Sequence, residues 1–217
     1  MKIFIDSADP REIEEALDYG IIDGVTTNPT LMAKYGKDVK TTAEAICKII
    51  SGPVSIEVAS TEYDGMIEEG KRILGIAENI VLKLPITWNG LKACKYFHDQ
   101  KRQVNMTLCF SANQALLAAK SGATYVSPFI GRLDDIGHDG NELIAEIKEV
   151  FNNYPEYSAE LLASSLRHPA HFHMAALAGA DAVTLPFVVI KQLLEHPLTD
   201  KGLERFVTDW KKSGLTI

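Results

Sequence analysis

Lys83 is the residue whose type and place point first to chemistry, because it stands in the middle of the apolar run VLKLP. Lysines are rarely buried unless paired or used. Burying a lysine disfavours its ammonium form, and a free amine attacks a carbonyl to give an iminium, an electron sink for carbon–carbon cleavage beside a ketone. That chemistry also needs a base for the hydroxyl two carbons away and a proton shuttle for carbinolamine dehydration. Asp6 and Glu57 are the available carboxylates, and Thr107 can fix a water between Glu57 and the nitrogen. A resting ion pair of Lys83 with Glu57 or Asp6 is the plainer reading, and it does not exclude catalysis. No metal or other cofactor is required.

Two arginines suit an anionic end of a substrate. Arg132 lies in SPFIGRLDD and Arg167 in ASSLRHP, each after a strand-like run. A guanidinium binds phosphate with a rigid fork, and the loops after late strands of α/β barrels commonly hold phosphate. The competing role for one of them is a surface ion pair with Asp134 or Asp135. His171 and His173 are two residues apart, which does not place them on one helix face, and there is no HExxH. His138, in GHDG, reads as a loop residue.

Short β-branched runs alternate with helical patterns along the whole chain. The strands are KIFID from Lys2, DGVTTN from Asp23, VSIEV from Val54, NIVLKLP from Asn79, QVNMTL from Gln103, TYVSP from Thr124, AELLAS from Ala159 and AVTLP from Ala182. Asp9-Pro10 and Ser111 have the form of helix starts, and Gly122 and Gly179 that of C-terminal caps. Eight such units in 217 residues favour one closed (β/α)8 TIM barrel over an open doubly wound sheet. No GxGxxG follows the first strand, which counts against dinucleotide binding. The expectation is a single α/β domain over 1–217, with an extra C-terminal helix over about 199–213.

Strand parity then gives the polar residues a direction. Ser55 and Glu57 oppose Val54, Ile56 and Val58, and Lys83 opposes Ile80, Leu82 and Leu84. Asn105 and Thr107 oppose Val104, Met106 and Leu108, and Asp6 opposes Ile3 and Ile5. The apolar sets suit a face packed on helices, so the polar sets point into the barrel, where they are costly without a purpose. Asp6, Asn28, Glu57, Lys83, Thr107, Ser127 and Ser165 all fall near C-terminal strand ends, the rim on which barrel active sites are built.

Composition sets the remaining bounds. A formal charge of −7, with 46% apolar and 24% charged residues, is ordinary for a soluble protein and argues against nucleic acid as a main partner. No apolar run is long enough to span a bilayer, and the N-terminus becomes charged too early for a signal peptide. Cys47, Cys94 and Cys109 are widely spaced and odd in number, which reads as reduced thiols in a cytoplasmic protein.

The segments DSAD around Asp6, GVTTNPTL around Asn28, VLKLP around Lys83 and SPFIGRLDDIGHDG around Arg132 resemble the transaldolase family in its short form. The resemblance covers nearly the whole chain. It implies transfer of a dihydroxyacetone unit between sugar phosphates in the pentose phosphate pathway, from sedoheptulose 7-phosphate to glyceraldehyde 3-phosphate, giving erythrose 4-phosphate and fructose 6-phosphate. By that resemblance Lys83 forms the Schiff base, Asp6 is the acid/base for cleavage, and Glu57 with Thr107 holds a water. Asn28 and Ser127 hold the dihydroxyacetone moiety, and Arg132, Ser165 and Arg167 the phosphate. It also implies a homo-oligomer, a pentamer or decamer, with the C-terminal helix reaching a neighbour. The related fructose-6-phosphate aldolases share the lysine but tend to carry Gln at Glu57, Ala at Ser127 and Tyr at Phe129. Cys109 and Ile130 depart slightly from the family pattern and touch no implied role. Two other readings stand beside the transferase: an aldolase releasing dihydroxyacetone, and a non-catalytic sugar-phosphate-binding barrel.

Overall fold

A computed structural model of the chain describes residues 1–35 and 38–216. Eight parallel strands close into a barrel in chain order. The first half contains β1 (Lys2–Asp6), α1 (Pro10–Asp18), β2 (Gly24–Thr26), α2 (Pro29–Tyr35), α3 (Val39–Ile49), β3 (Val54–Glu57), α4 (Tyr63–Leu74), β4 (Ile80–Pro85) and α5 (Trp88–Asp99). The second half contains β5 (Val104–Cys109), α6 (Ala112–Lys120), β6 (Tyr125–Pro128), α7 (Ile130–Asp134), α8 (Gly140–Asn153), β7 (Glu160–Ala163), α9 (Pro169–Leu177), β8 (Ala182–Leu185), α10 (Phe187–Gln192) and α11 (Pro197–Ser213). All eight expected strands are present: β1 keeps its expected bounds, β5 runs one residue later, to Cys109, and the other six are trimmed by a residue or two at their ends. The fold is a (β/α)8 barrel with an extra C-terminal helix.

The helix signals have their expected physical basis. Asp9 caps α1 through a bond from Arg11 N, with Pro10 in the first turn, where a missing N–H costs nothing. Ser111 caps α6 by accepting from Gln114 N. Gly122 and Gly179 follow α6 and α9 with φ of 93° and 79°, a backbone state that a side chain disfavours.

Parity divides the core as the alternation implies. Ile5, Val54, Ile56, Ile80, Leu82, Leu84, Val104 and Met106 join the helix residues in one buried layer around the barrel. Phe4, Val81, Tyr125, Leu162 and Ala182 form a separate apolar cluster, the plug inside the barrel. The alternation fails at one residue. Leu108, expected to face the helices, belongs to neither cluster, and Cys109 takes its place in the outer layer. The register between β5 and β6 shifts between Met106 and Cys109, and Leu108 has φ 60°. An inserted left-handed residue reverses the parity that follows it. Burial pushes the Cys94 and Cys109 thiols up to about 11 and about 12, so both are poor nucleophiles.

Candidate active site

The C-terminal ends of the strands bring a lysine and two carboxylates together. Register places Glu57 opposite Lys83 on β3 and β4, and Lys83 opposite Asn105 on β5. Lys83 is 5% exposed. Its Nζ lies 3.1 Å from Glu57 Oε2 and donates to the carbonyl of Thr27 at 2.9 Å. The amine is thus aimed by two oxygens, one at the end of β3 and one just past the end of β2, which fixes a side chain that otherwise has four rotatable bonds.

Asp6 ends β1, level with Thr26 on β2. Thr26 Oγ1 donates to Asp6 Oδ1 at 2.7 Å and lies 2.6 Å from Thr184 Oγ1. With the Thr26 proton committed to an ionised Asp6, Thr184 must be the donor to Thr26. Burial pushes the Asp6 carboxyl above its ordinary value, against the opposing pull of the Thr26 hydrogen bond and the Lys83 charge. On the other side of the lysine, Ser127 Oγ donates to Asn105 Oδ1 at 2.7 Å, and Asn105 Nδ2 donates to Ser55 Oγ at 3.2 Å. This chain satisfies a fully buried amide, which would otherwise cost a few kcal/mol.

Six of the nine residues singled out from sequence line one cavity of about 130 Å³: Asp6, Asn28, Lys83, Ser127, Arg132 and Ser165. Glu57 does not line it. That carboxylate sits behind the amine and lines an adjoining cavity of about 280 Å³ with Thr27 and Ile56. Thr107 lies one level above Lys83, opposite Pro85, and its Oγ1 is buried with no protein partner. A buried hydroxyl of this kind is suited to a water. Asn28 has a second duty, since its Oδ1 accepts from Leu31 N in the first turn of α2.

The two arginines differ. Arg132, on α7, lies over the Phe129 ring at 5.0 Å and faces the cavity. Arg167 makes a two-point ion pair with Asp135 and is not part of the cavity wall. Thr26, Ser164 and Thr184 also line the cavity, and none of them stands out from sequence. Parity carried through β2 and β8 points to Thr26 and Thr184, and parity carried through the AELLAS run points to Ser164, which alternates with the inward Leu162. Among the described residues no group of three or more His, Cys, Asp or Glu side chains could hold a metal ion.

The fold and this cavity define a class: a (β/α)8 barrel whose rim encloses a lysine amine between carboxylates. Residues 3–217 match the family model described as transaldolase/fructose-6-phosphate aldolase, and the chain belongs to that family of enzymes. It is 57% identical over 217 residues, covering 100% of both chains, to a protein of Parvibaculum lavamentivorans named probable transaldolase. A Brucella anthropi protein of the same name is also 57% identical over the full length of both chains. A third so named, from Dinoroseobacter shibae, is 55% identical over the same span.

Proposed function

We propose that this barrel is a transaldolase that carries a dihydroxyacetone unit on Lys83 between sugar phosphates of the pentose phosphate pathway. The observation that carries the reading is the Lys83 amine, buried and held 3.1 Å from Glu57, in a cavity whose wall includes Asp6. In this reading the amine gives a proton to Glu57 and attacks the ketone carbon of the donor. The carbinolamine loses water, with Glu57 and a water held by Thr107 as the proton shuttle. Asp6 then takes the proton of the hydroxyl two carbons from the iminium. The intervening carbon–carbon bond breaks, its electron pair goes to the iminium nitrogen as an enamine, and an aldose phosphate leaves. An acceptor aldehyde adds to the enamine, Asp6 returns the proton, and hydrolysis frees the new ketose phosphate.

Asn28 and Ser127 suit the hydroxyls of the dihydroxyacetone unit, and Arg132 with Ser165 suits the phosphate. Arg167 is assigned to that end too, and must exchange Asp135 for substrate to reach it. The exposed α11, which buries none of its residues, supports assembly into a homo-oligomer. Borohydride added with fructose 6-phosphate should fix a dihydroxyacetone adduct on Lys83, and absence of any adduct removes the Schiff-base reading. A coupled assay with and without erythrose 4-phosphate separates the two activities. Transfer predicts turnover that depends on the acceptor, while an aldolase releases dihydroxyacetone without one.

A further inference from the structure

The loops after β6 and β7, which carry Arg132 and Ser165, are joined by more than their proximity. Ile130 N donates to Ser164 O at 3.0 Å, and Gly131 N donates to Ser165 O at 3.1 Å. A Cβ on Gly131 would lie 2.5 Å from that carbonyl and 2.6 Å from Arg167 Nε, so the approach requires glycine. Ser165 itself is left-handed, with φ 60°, a conformation that its surroundings must hold in place.

One buried side chain spans this junction without touching the cavity. His171, on α9, is 4% exposed. Its Nδ1 accepts from Arg167 N at 3.2 Å, and its Nε2 lies 2.7 Å from Asp134 Oδ2, at the end of α7. The other oxygen of Asp134 accepts from Gly140 N at 3.0 Å. An Nδ1 that accepts a hydrogen bond leaves the ring N–H on Nε2, pointed at Asp134. Burial, together with the charge of His168, whose ring lies tilted at 3.7 Å, pushes the imidazole below its ordinary value despite Asp134. The neutral tautomer with both bonds is therefore the resting form at neutral pH.

We infer that His171 is a positioning residue for the substrate's phosphate: it ties Asp134 of the Arg132 helix to the Arg167 backbone beside Ser165, and so fixes the spacing of the two anion-binding loops. The inference rests on the assignment of Arg132 and Ser165 to the phosphate. Nothing in it involves carbon–carbon cleavage, so it separates the two ends of the substrate.

The test is steady-state transfer to unphosphorylated glyceraldehyde, with either fructose 6-phosphate or fructose as donor. His171→Phe keeps the ring volume and removes both bonds. It should raise KM for fructose 6-phosphate by about tenfold, the weight of one or two hydrogen bonds, with kcat and all constants for fructose within about twofold. His171→Asn, whose carbonyl can take the Arg167 N–H, and His171→Gln, which can reach Asp134, should each recover part of the affinity. Equal losses with both donors, or a lower melting temperature with an unchanged KM, would assign His171 to stability alone and overturn the inference. Arg132→Ala is the control for the premise. If it leaves KM for fructose 6-phosphate unchanged, the phosphate assignment fails and the inference with it. If it raises KM while His171→Phe and His171→Gln do not, only the inference fails.

Discussion

Lys83 Nζ and Glu57 Oε2 stand 3.1 Å apart because β3 and β4 hold the two residues directly opposite in register. Both side chains are largely withdrawn from water, so each depends on the other for charge compensation. Buried pairs of this kind are poor stabilisers, since desolvation offsets most of their attraction. In the proposed mechanism the pair serves reactivity and not folding.

The consequence is a separation of stability from activity. Glu57→Ala should destabilise the barrel by about 3 kcal/mol, because it leaves the buried ammonium with the Thr27 carbonyl and the weaker attraction of Asp6. The double variant Lys83→Met with Glu57→Gln should be at least as stable as the parent and wholly inactive. Urea unfolding of the three proteins, read alongside turnover, checks both statements. A double variant as unstable as Glu57→Ala would show that the pair holds the fold.

Asp6 carries the opposite kind of strain. Its carboxyl is pushed above the ordinary value chiefly by burial, so keeping it ionised in the folded protein costs stability at neutral pH. For a carboxyl raised in the folded state, the stabilising contribution is complete below the unfolded pKa and is lost as pH rises through the folded one. Asp6→Asn should therefore raise the melting temperature at pH 7, by about 2–4 °C per kcal/mol relieved. The gain should shrink as pH falls through the raised folded value and vanish below about 4, where the parent becomes protonated in both states. The same variant should still trap a borohydride adduct on Lys83 while cleavage falls by about two to four orders of magnitude. Retention of full turnover would remove Asp6 from the mechanism.

The barrel and its lysine were legible because both follow from period-two alternation. VLKLP places Lys83 on the inner face whatever the loops do, and eight runs of that kind leave little choice of fold. Leu108 was not legible. Its positive φ is imposed by the shift in pairing with β6, a tertiary event that a local pattern does not carry. Arg167 shows a second limit. Its place after β7 suggests an anion site, but Asp135 lies thirty-two residues back in sequence and reaches it only because α7 folds against the residues after β7. Thr26 and Thr184 were within reach of parity, yet a threonine in a strand is so common that nothing marks it until the carboxylate beside it is seen.

The two arginines should separate in kinetics. Arg132 faces the cavity, whereas Arg167 is held at two points by Asp135. Arg132→Ala is expected to raise KM for fructose 6-phosphate by about 10- to 100-fold, the weight of one charge-assisted contact. Its effect on unphosphorylated fructose should be within about twofold. Arg167→Ala should cost less in KM, because substrate binding by Arg167 must first give up a salt bridge of its own. Asp135→Asn loosens that competitor and should lower KM for the phosphorylated donor in the presence of Arg167 only. A larger effect of Arg167→Ala than of Arg132→Ala would mean that Asp135 releases its partner on binding.

The last helix gives a prediction about assembly. Leu203, Phe206, Val207 and Trp210 recur at the three- and four-residue spacing that places them on one face of α11. They are 57%, 71%, 51% and 46% exposed in the single chain. An apolar stripe of this length on a helix with no buried residue is out of place on a monomer and suits a contact with a second copy. Were the chain monomeric, Phe206→Asp would touch nothing and change stability by less than about 0.5 kcal/mol. In an oligomer built through α11 it should instead shift the sedimenting species to a smaller one. The parent's melting temperature should then rise with protein concentration, and the variant's should lose that dependence. An unchanged sedimentation coefficient with an unchanged melt would exclude α11 from any interface.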